Sequence, residues 1–352
     1  MTESCSIDSD LVPAHRSHDP AKNLKRSDPF RFGSRYLEEG DDVFEYNAWD
    51  HVTPDDAFYA HAEQQYALQR ENPVSQFDQK RFNGEPEKWW DKFYSNNANN
   101  FFKNRKWLAQ EFPILHDLTK PSAGPITILE IGAGAGNTAY PILAANKNEQ
   151  LMIYACDFSK KAVDLIKHNE AYDETKIKAE VWDVSADRLP SGLEPSSVDA
   201  VFMIFTFSAL SPQQWGQAVV NIWTALKPGG EVCFRDYGKG DLAQVRFKKG
   251  RYLEENFYVR GDGTRVYFFE LEELRRTWTQ PIKYGLKGAQ SEASISDEGD
   301  SAACGDTNRA TFEVLNLAVD RRMLVNRQRQ LKMHRCWLQA HFRKPQKVDN
   351  HD

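Results

Sequence analysis

Leu129-Glu130-Ile131-Gly132-Ala133-Gly134-Ala135-Gly136-Asn137 is the stretch that decides the fold. The apolar run 126–131 reads as a buried strand, the glycines end it, and 137–145 resumes as a helix. Glycine at such a turn lets the backbone adopt conformations closed to other residues and approach a ligand closely. The spacing is G-x-G-x-G, not the G-x-G-x-x-G of dinucleotide sites. Glu130 stands two residues before the first glycine. A carboxylate there repels a pyrophosphate but can pair with the ammonium of a methionine moiety. With Gly132 and Gly134 beside it, the loop favours S-adenosylmethionine over NAD. Taken alone, the loop also reads as an ordinary strand–helix turn.

Outward from the loop, strands and helices alternate. Strands are expected at 151–156, 178–182, 198–205 and 231–235, and helices at 159–169 and 211–226. Ser159 and Ser211 stand at the two helix caps, and Pro212 at a first helical position. This order predicts an α/β fold with a doubly wound, mostly parallel sheet. The segments 311–325 and 330–342 add an antiparallel pair around Asn326-Arg327 at one edge. Asp157 ends the second strand, where a ribose-binding carboxylate belongs. Asp183 follows the third, where an acid can accept from an adenine amino group. Either alone reads equally as a cap or a solvated acid. Three acids at successive strand ends around one glycine loop carry more weight. Ile204 and Phe205, ending the fourth strand, can cover the ligand or fill the core.

Before the sheet, residues 1–28 are polar and read as disordered, and 29–120 as an N-terminal arm and helical lid for substrate recognition. Helices are expected from Thr53 (Pro54 first) to Pro73, and over 86–96 and 104–112. The dense aromatics of 82–112 either pack the lid or line a pocket. Residues 121–343 form the catalytic domain, with a basic insert at 239–269 and a flexible acidic loop at 288–308, and 344–352 are a disordered tail.

Composition sets limits. Lys+Arg number 45 and Asp+Glu 51, a net charge of −6, which excludes a basic coat but not a local basic patch. No apolar run approaches the roughly 18–20 residues of a membrane span, and the first residues lack the pattern of a secretory signal. The cysteines (Cys5, Cys156, Cys233, Cys304 and Cys336) are scattered and contain no C-x-x-C. That fits reduced thiols in a cytoplasmic or nuclear chain. No histidine or cysteine spacing suits a metal, and none is expected.

Several segments together resemble the eukaryotic tRNA 3-methylcytidine methyltransferases. They are Trp90-Asp91-Lys92-Phe93-Tyr94, Asn100-Phe101-Phe102-Lys103-Asn104-Arg105-Lys106-Trp107, LEIGAGAGN (129–137), YACDFS (154–159), LKPGGEVCFRDYG (226–238) and ENFYVRGDGTRVYFF (255–269). The resemblance runs from about 32 to 345. Its arm and C-terminal segments are similar to the branch acting on threonine and some arginine tRNAs rather than serine tRNAs. Asn104 replaces the usual Asp, Ala133 the common Cys, and the insert 288–306 is a departure. The resemblance implies a Rossmann-like class I S-adenosylmethionine-dependent methyltransferase with an N-terminal RNA-binding extension. It implies methyl transfer to N3 of cytidine 32 (tRNA numbering). It implies cofactor contacts at Trp90, Tyr94, Gly132, Asp157, Asp183 and Ile204, and in some relatives a tRNA synthetase or adaptor partner.

Cytosine N3 keeps a lone pair at neutral pH, so no strong base is needed, and positioning and electrostatics should dominate. Arg235-Asp236-Tyr237, ending the fifth strand, are the expected catalytic residues: Asp236 to accept from the cytosine amino group, Tyr237 to wall the base. Alternatively, Asp236 is an ion-pair partner of Arg235 or Arg265. Phe101 and Phe102 are candidates to stack on an unstacked base. Phosphate contacts are expected from Lys103 and Arg105 (with Lys106), and from Arg246, Lys248, Lys249, Arg251, Arg260 and Arg265, interleaved with Tyr252, Phe257 and Tyr258. Arg321, Arg322, Arg327, Arg329, Lys332 and Arg335 form a third group. Each cluster reads otherwise as a solvated face. Competing functions are a small-molecule or protein methyltransferase and a non-catalytic tRNA-binding scaffold.

Overall fold

A computed structural model describes residues 35–282 and 311–346. The expected disordered start 1–28, the acidic loop 288–306, most of the tail, and Cys5 and Cys304 lie outside them. The arm runs into a short strand, β1 (Ala48–Asp50), where Trp49 is fully buried and its indole N–H donates to the Val43 carbonyl at 2.7 Å. Helix α1 (Asp56–Glu71) begins later than Thr53, because the Asp55 carboxylate accepts from the Phe58 N–H (2.8 Å) and caps it. The largely polar α2 (Gln76–Gly84), capped by Ser75, was not expected, and α3 (Pro86–Asn97) follows it. The single helix expected over 104–112 is instead two turns, α4 (Leu108–Glu111) and α5 (Ile114–Leu118). Pro113 separates them, since its ring and missing N–H do not continue a helix.

The alternating region then runs β2 (Ile126–Ile131), α6 (Ala139–Ala145), β3 (Leu151–Asp157), α7 (Lys160–Lys167), β4 (Ile177–Val181), β5 (Val198–Ile204), α8 (Pro212–Ala225) and β6 (Leu226–Tyr237). Ser211 and Gln214 cap α8 reciprocally. An insert of α9 (Leu242–Val245), β7 (Tyr252–Glu254), β8 (Phe257–Val259) and β9 (Arg265–Tyr267) precedes α10 (Leu271–Thr279), β10 (Glu313–Asn326) and β11 (Leu331–Arg343).

The main sheet has the order β1-β10-β11-β6-β5-β2-β3-β4. β4, β3, β2, β5 and β6 are parallel, and β11, β10 and β1 are antiparallel. The arm thus covers the outer edge of β10 at 322–324. Successive strand residues feed opposite faces. Leu129, Val201, Met203 and Phe234 pack toward Trp215, Ile222 and Trp278, whereas Ile128, Ile153, Phe202 and Cys233 pack toward Phe112, Ile142 and Ile166. The chain reverses direction across the sheet between β2 and β5, and a crevice opens at the C-terminal strand ends there.

The aromatics of the insert are core. Tyr258 is 2% exposed and stacks on Phe247 at 4.7 Å, and Phe257 is buried against Tyr267. They are not base-stacking platforms: alternation along β8 sends them to opposite faces, and both faces are covered, Phe257 packing in the main core and Tyr258 against Val266 and Phe268.

Candidate active site

Gly132 and Gly134 hold left-handed backbone, φ +69° and +57°. A Cβ on Gly132 would collide with the Thr206 side chain, and one on Gly134 would come within 2.6 Å of the Tyr94 hydroxyl. The loop is therefore pinned between β5 and α3. Asp157 completes it: Oδ2 accepts from the Gly134 N–H and Oδ1 from the Ser159 N–H, both at 2.8 Å. Burial pushes its pKa up to about 6, against the pull of those amides. Asp183 accepts through Oδ1 from the Ser185 N–H (2.8 Å) and hydroxyl (2.7 Å), and its Oδ2 has no hydrogen bond among the described residues.

Both carboxylates line the crevice, with Phe158, Trp182, Ile204, Phe205 and Leu210 as apolar wall. Phe205 has φ +58°, an uncommon conformation for a bulky residue, and its N–H donates to the Arg235 carbonyl at 2.7 Å. Trp90 and Tyr94 close the other side. Their helix is tied down by Asp91, which accepts from the Ser159 hydroxyl (2.6 Å) and the Lys161 N–H (3.0 Å).

Glu130 and Arg105 stand where the sequence did not put them. Glu130 is buried beneath the loop and does not line the crevice. Its Oε2 caps α6 by accepting from the Ala139 N–H (3.0 Å), and Oε1 lies 3.7 Å from Arg105. Loss of solvent raises its pKa to about 7 despite that arginine. Arg105 turns inward from the exposed Lys103 and Lys106. It donates to the Thr138 hydroxyl and the Ile204 carbonyl and lines the crevice itself. Arg265 likewise leaves the expected phosphate-binding set. It is 4% exposed and donates to Asn83 (3.1 Å), the Ala209 carbonyl (3.2 Å) and Gln214 (3.2 Å). Burial lowers its pKa to about 10.

The expected catalytic trio does not open on the crevice. Asp236 is wholly buried, and its oxygens accept from the Ser208 and Tyr237 N–H groups, each at 2.8 Å. Burial raises its pKa to about 6. It holds the turn Phe207–Ala209, whose Ala209 is crevice wall, and pairs with neither Arg235 nor Arg265. Tyr237 stands behind Phe205, ring centroids 5.0 Å apart. Arg235 is locked in a buried network: it hydrogen-bonds Gln339 and Asp320, lies 3.6 Å from Glu111, and is flanked by the rings of Trp107 and Trp337.

Of the phenylalanine pair, Phe102 lines the crevice, whereas Phe101 is 59% exposed and packs edge-on against Phe93 and Phe102. Arg246, Lys248 and Lys249 are exposed. Arg251 donates to the Arg260 carbonyl (3.2 Å), and Arg260 lies over Tyr237. In the third basic group, Arg322 pairs with Glu111, Asp320 and Asp50, and Arg335 with Asp241, while Arg327, Arg329 and Lys332 are exposed. Among the described residues no group of three side chains suits a metal ion, and no helix is long and apolar enough to cross a membrane. Phe158, Trp182, Thr206, Leu210 and Gln214 line the crevice without having been singled out. Only the Ser211-x-x-Gln214 cap carried a local signal.

The wall fits S-adenosylmethionine. Asp157 can take two ribose hydroxyls, the open Asp183 oxygen an amino group, and the apolar residues between them a purine. The family described as "Methyltransferase domain" matches residues 129–232. The tRNA(Thr) (cytosine(32)-N(3))-methyltransferase of Saccharomyces cerevisiae is 49% identical over 94% of this chain, which spans 48% of that relative, about half its length. The tRNA N(3)-methylcytidine methyltransferase of Schizosaccharomyces pombe is 47% identical over 89% of this chain and 92% of its own length. That of Drosophila melanogaster is 40% identical over 91% and 90%. A doubly wound sheet, a glycine loop braced by the strand-end Asp157, and such identity across nearly all of a relative's length lead to one assignment: the chain belongs to the tRNA N3-methylcytidine methyltransferases.

Proposed function

We propose that the protein methylates N3 of cytidine 32 in the anticodon loop of tRNA, with threonine tRNA as the main acceptor and arginine or serine tRNAs as lesser ones. The observation that carries this reading is the crevice itself. Two strand-end carboxylates flank a glycine loop, and an aromatic lid from a segment rich in exposed lysine closes over it. Relatives named for this modification support the choice of acceptor.

When bound, S-adenosylmethionine supplies a methyl group on a positively charged sulfur. The chain's own residues hold and orient. Asp157 takes the ribose and Asp183 the adenine amino group. Trp90, Tyr94, Gly132, Gly134 and Ile204 line the remainder and exclude water. Cytosine N3 has a free lone pair, so no side chain needs to remove a proton. Phe102 and Phe205 are placed to face a flipped pyrimidine. Asp236, Tyr237 and Arg235 act through Phe205 and the Phe207–Ala209 turn, as positioning residues. Phe101, Lys103, Arg246, Lys248, Lys249 and Arg251 serve RNA contact. In this reading 29–120 and 239–269 recognise the tRNA, residues 121–343 carry the chemistry, a synthetase or adaptor can assist, and the protein works in the cytoplasm.

Incubation with labelled S-adenosylmethionine and threonine, serine and arginine tRNA transcripts, followed by nucleoside analysis, tests the reading. The expected product is 3-methylcytidine at position 32, most abundant in threonine tRNA. Label appearing only in small molecules or protein would overturn it.

A further inference from the structure

Around Asp157 the walls of the crevice are joined in a ring of contacts, and one member of it, Asp91, does not line the crevice. Ser159, fully buried, is the link. Its N–H donates to Asp157 Oδ1 at 2.8 Å, its hydroxyl donates to Asp91 Oδ1 at 2.6 Å, and the same hydroxyl oxygen accepts from the Ala162 N–H at 3.2 Å. Asp91 Oδ1 also accepts from the Lys161 N–H at 3.0 Å. A carboxylate of α3 thus satisfies an N-terminal amide that α7 itself leaves open. On α3, Trp90 precedes Asp91 and Tyr94 follows it by three, and the two rings, one turn apart, stack with centroids 6.2 Å apart. Tyr94 lies against Gly134, whose N–H donates to Asp157 Oδ2 at 2.8 Å, and the ring closes. Phe93, Tyr94 and Ala162 also pack α3 on α7. Such apolar packing is non-directional, whereas two short bonds to one charged oxygen fix register and angle.

We infer that Asp91 is a positioning residue for the cofactor: through Ser159 it holds Asp157, the group assigned to the ribose, and the Trp90–Tyr94 wall at one fixed separation. The inference rests on the function proposed above, in which S-adenosylmethionine fills this crevice. A ribose held by Asp157 and covered by α3 needs both walls in place before it arrives. Without the Asp91 carboxylate, α3 keeps its apolar seat but is free to slide along α7, and the Ser159 hydroxyl loses its acceptor. Binding must then restore the separation, so affinity falls. Asp91 touches no reacting atom, and its effect reaches the methyl group only through the pocket walls. The exposed Lys103, Lys248 and Lys249, assigned to the acceptor, lie outside the ring.

Calorimetry with S-adenosylmethionine and with S-adenosylhomocysteine, at a temperature where each variant is folded, tests this. Asp91→Ala should weaken both ligands by about tenfold, the worth of a charge-assisted hydrogen bond. The two losses should be equal, because the groups it positions hold ribose and purine rather than the sulfonium. Asp91→Asn keeps an acceptor oxygen and should stay within about threefold of the parent. Ser159→Ala breaks the link from the other side and should weaken both ligands by about threefold to tenfold. The double variant Asp91→Ala/Ser159→Ala should bind only about twofold more weakly than Asp91→Ala, since the two residues act in series. Unchanged cofactor affinity in folded Asp91→Ala would reduce Asp91 to a fold contact and overturn the inference. A loss confined to S-adenosylmethionine would mean attraction of the cation rather than positioning, and fully additive losses would remove the link through Ser159; either overturns it as well. Should Asp91→Ala not fold, Ser159→Ala carries the same test, with equal losses expected and no loss overturning it. Cofactor binding is read without tRNA, so a parent that binds the cofactor but methylates no tRNA would sink the functional reading and leave this inference standing.

Discussion

Gly134 shows how little freedom the cofactor loop has. Its φ of +57° is left-handed, and a methyl group there meets the Tyr94 hydroxyl at 2.6 Å but the next ring carbon only at 3.5 Å. Gly134→Ala should therefore cost about 1–2 kcal/mol from backbone strain, plus a steric share. Adding Tyr94→Phe should recover the steric share and leave the strain, which thermal melts of both variants would resolve. Glu130 makes a prediction about pH. Its folded-state pKa, about 7, lies above the ordinary glutamate value, so the native state holds the proton more tightly than the unfolded chain. The stability it contributes is present at pH 4 and is lost as pH rises through about 7. Glu130→Gln should remove this decline, so the difference in unfolding free energy between parent and variant should change steadily from pH 4.5 to 7.5. Parallel curves would place the titration elsewhere.

Between elements, the strongest tie is the buried charge network joining α4, β6 and β10. Arg235 reaches Glu111 and Asp320, and Arg322 reaches the same two acids and Asp50 of β1. Removing one member leaves carboxylates buried with less positive charge, which typically costs about 3–5 kcal/mol. Arg235→Met should lose that much in urea denaturation while the native far-ultraviolet circular dichroism spectrum stays that of the parent. It should also lower kcat more than it weakens cofactor binding, because losing the buried side-chain network loosens the end of β6, whose backbone carbonyl at 235 holds Phe205. A variant as stable as the parent would show that the network contributes nothing net. The interposed Pro113, the Asp55 cap and the Ser211–Gln214 box show these element boundaries being set by single side chains.

At the scale of the molecule, the net charge of −6 forces RNA affinity to come from local clusters. With Arg105, Arg265, Arg322 and Arg335 engaged inside the fold, the exposed Lys103, Arg246, Lys248, Lys249, Arg327, Arg329 and Lys332 remain for the phosphate contact proposed above. Lys248→Glu/Lys249→Glu should weaken tRNA binding roughly tenfold or more near 0.1 M salt and reduce the slope of log affinity against log salt by about two. The affinity for S-adenosylmethionine should not move. A filter-binding salt series measures the first and calorimetry the second. An unchanged slope would take these lysines out of the interface.

The chain order of strands and helices, the glycine turn, the acids at strand ends and the closing antiparallel pair were legible locally. Apolar runs, caps and glycines act over a few residues, and tertiary contacts reinforce them. Family motifs, too, are strings of neighbours. The fate of each arginine was not legible, because a guanidinium looks the same in sequence whether it meets phosphate or a buried carboxylate far along the chain. Arg235 and Asp320 meet only because β11 lies between β6 and β10. Asp236 was expected at a base and instead serves the Ser208 and Tyr237 amides, since its depth was set by the turn folded over it. Local pattern determines which elements form and where a ligand loop lies. Long-range packing decides which charges remain in water, and so which of them can bind.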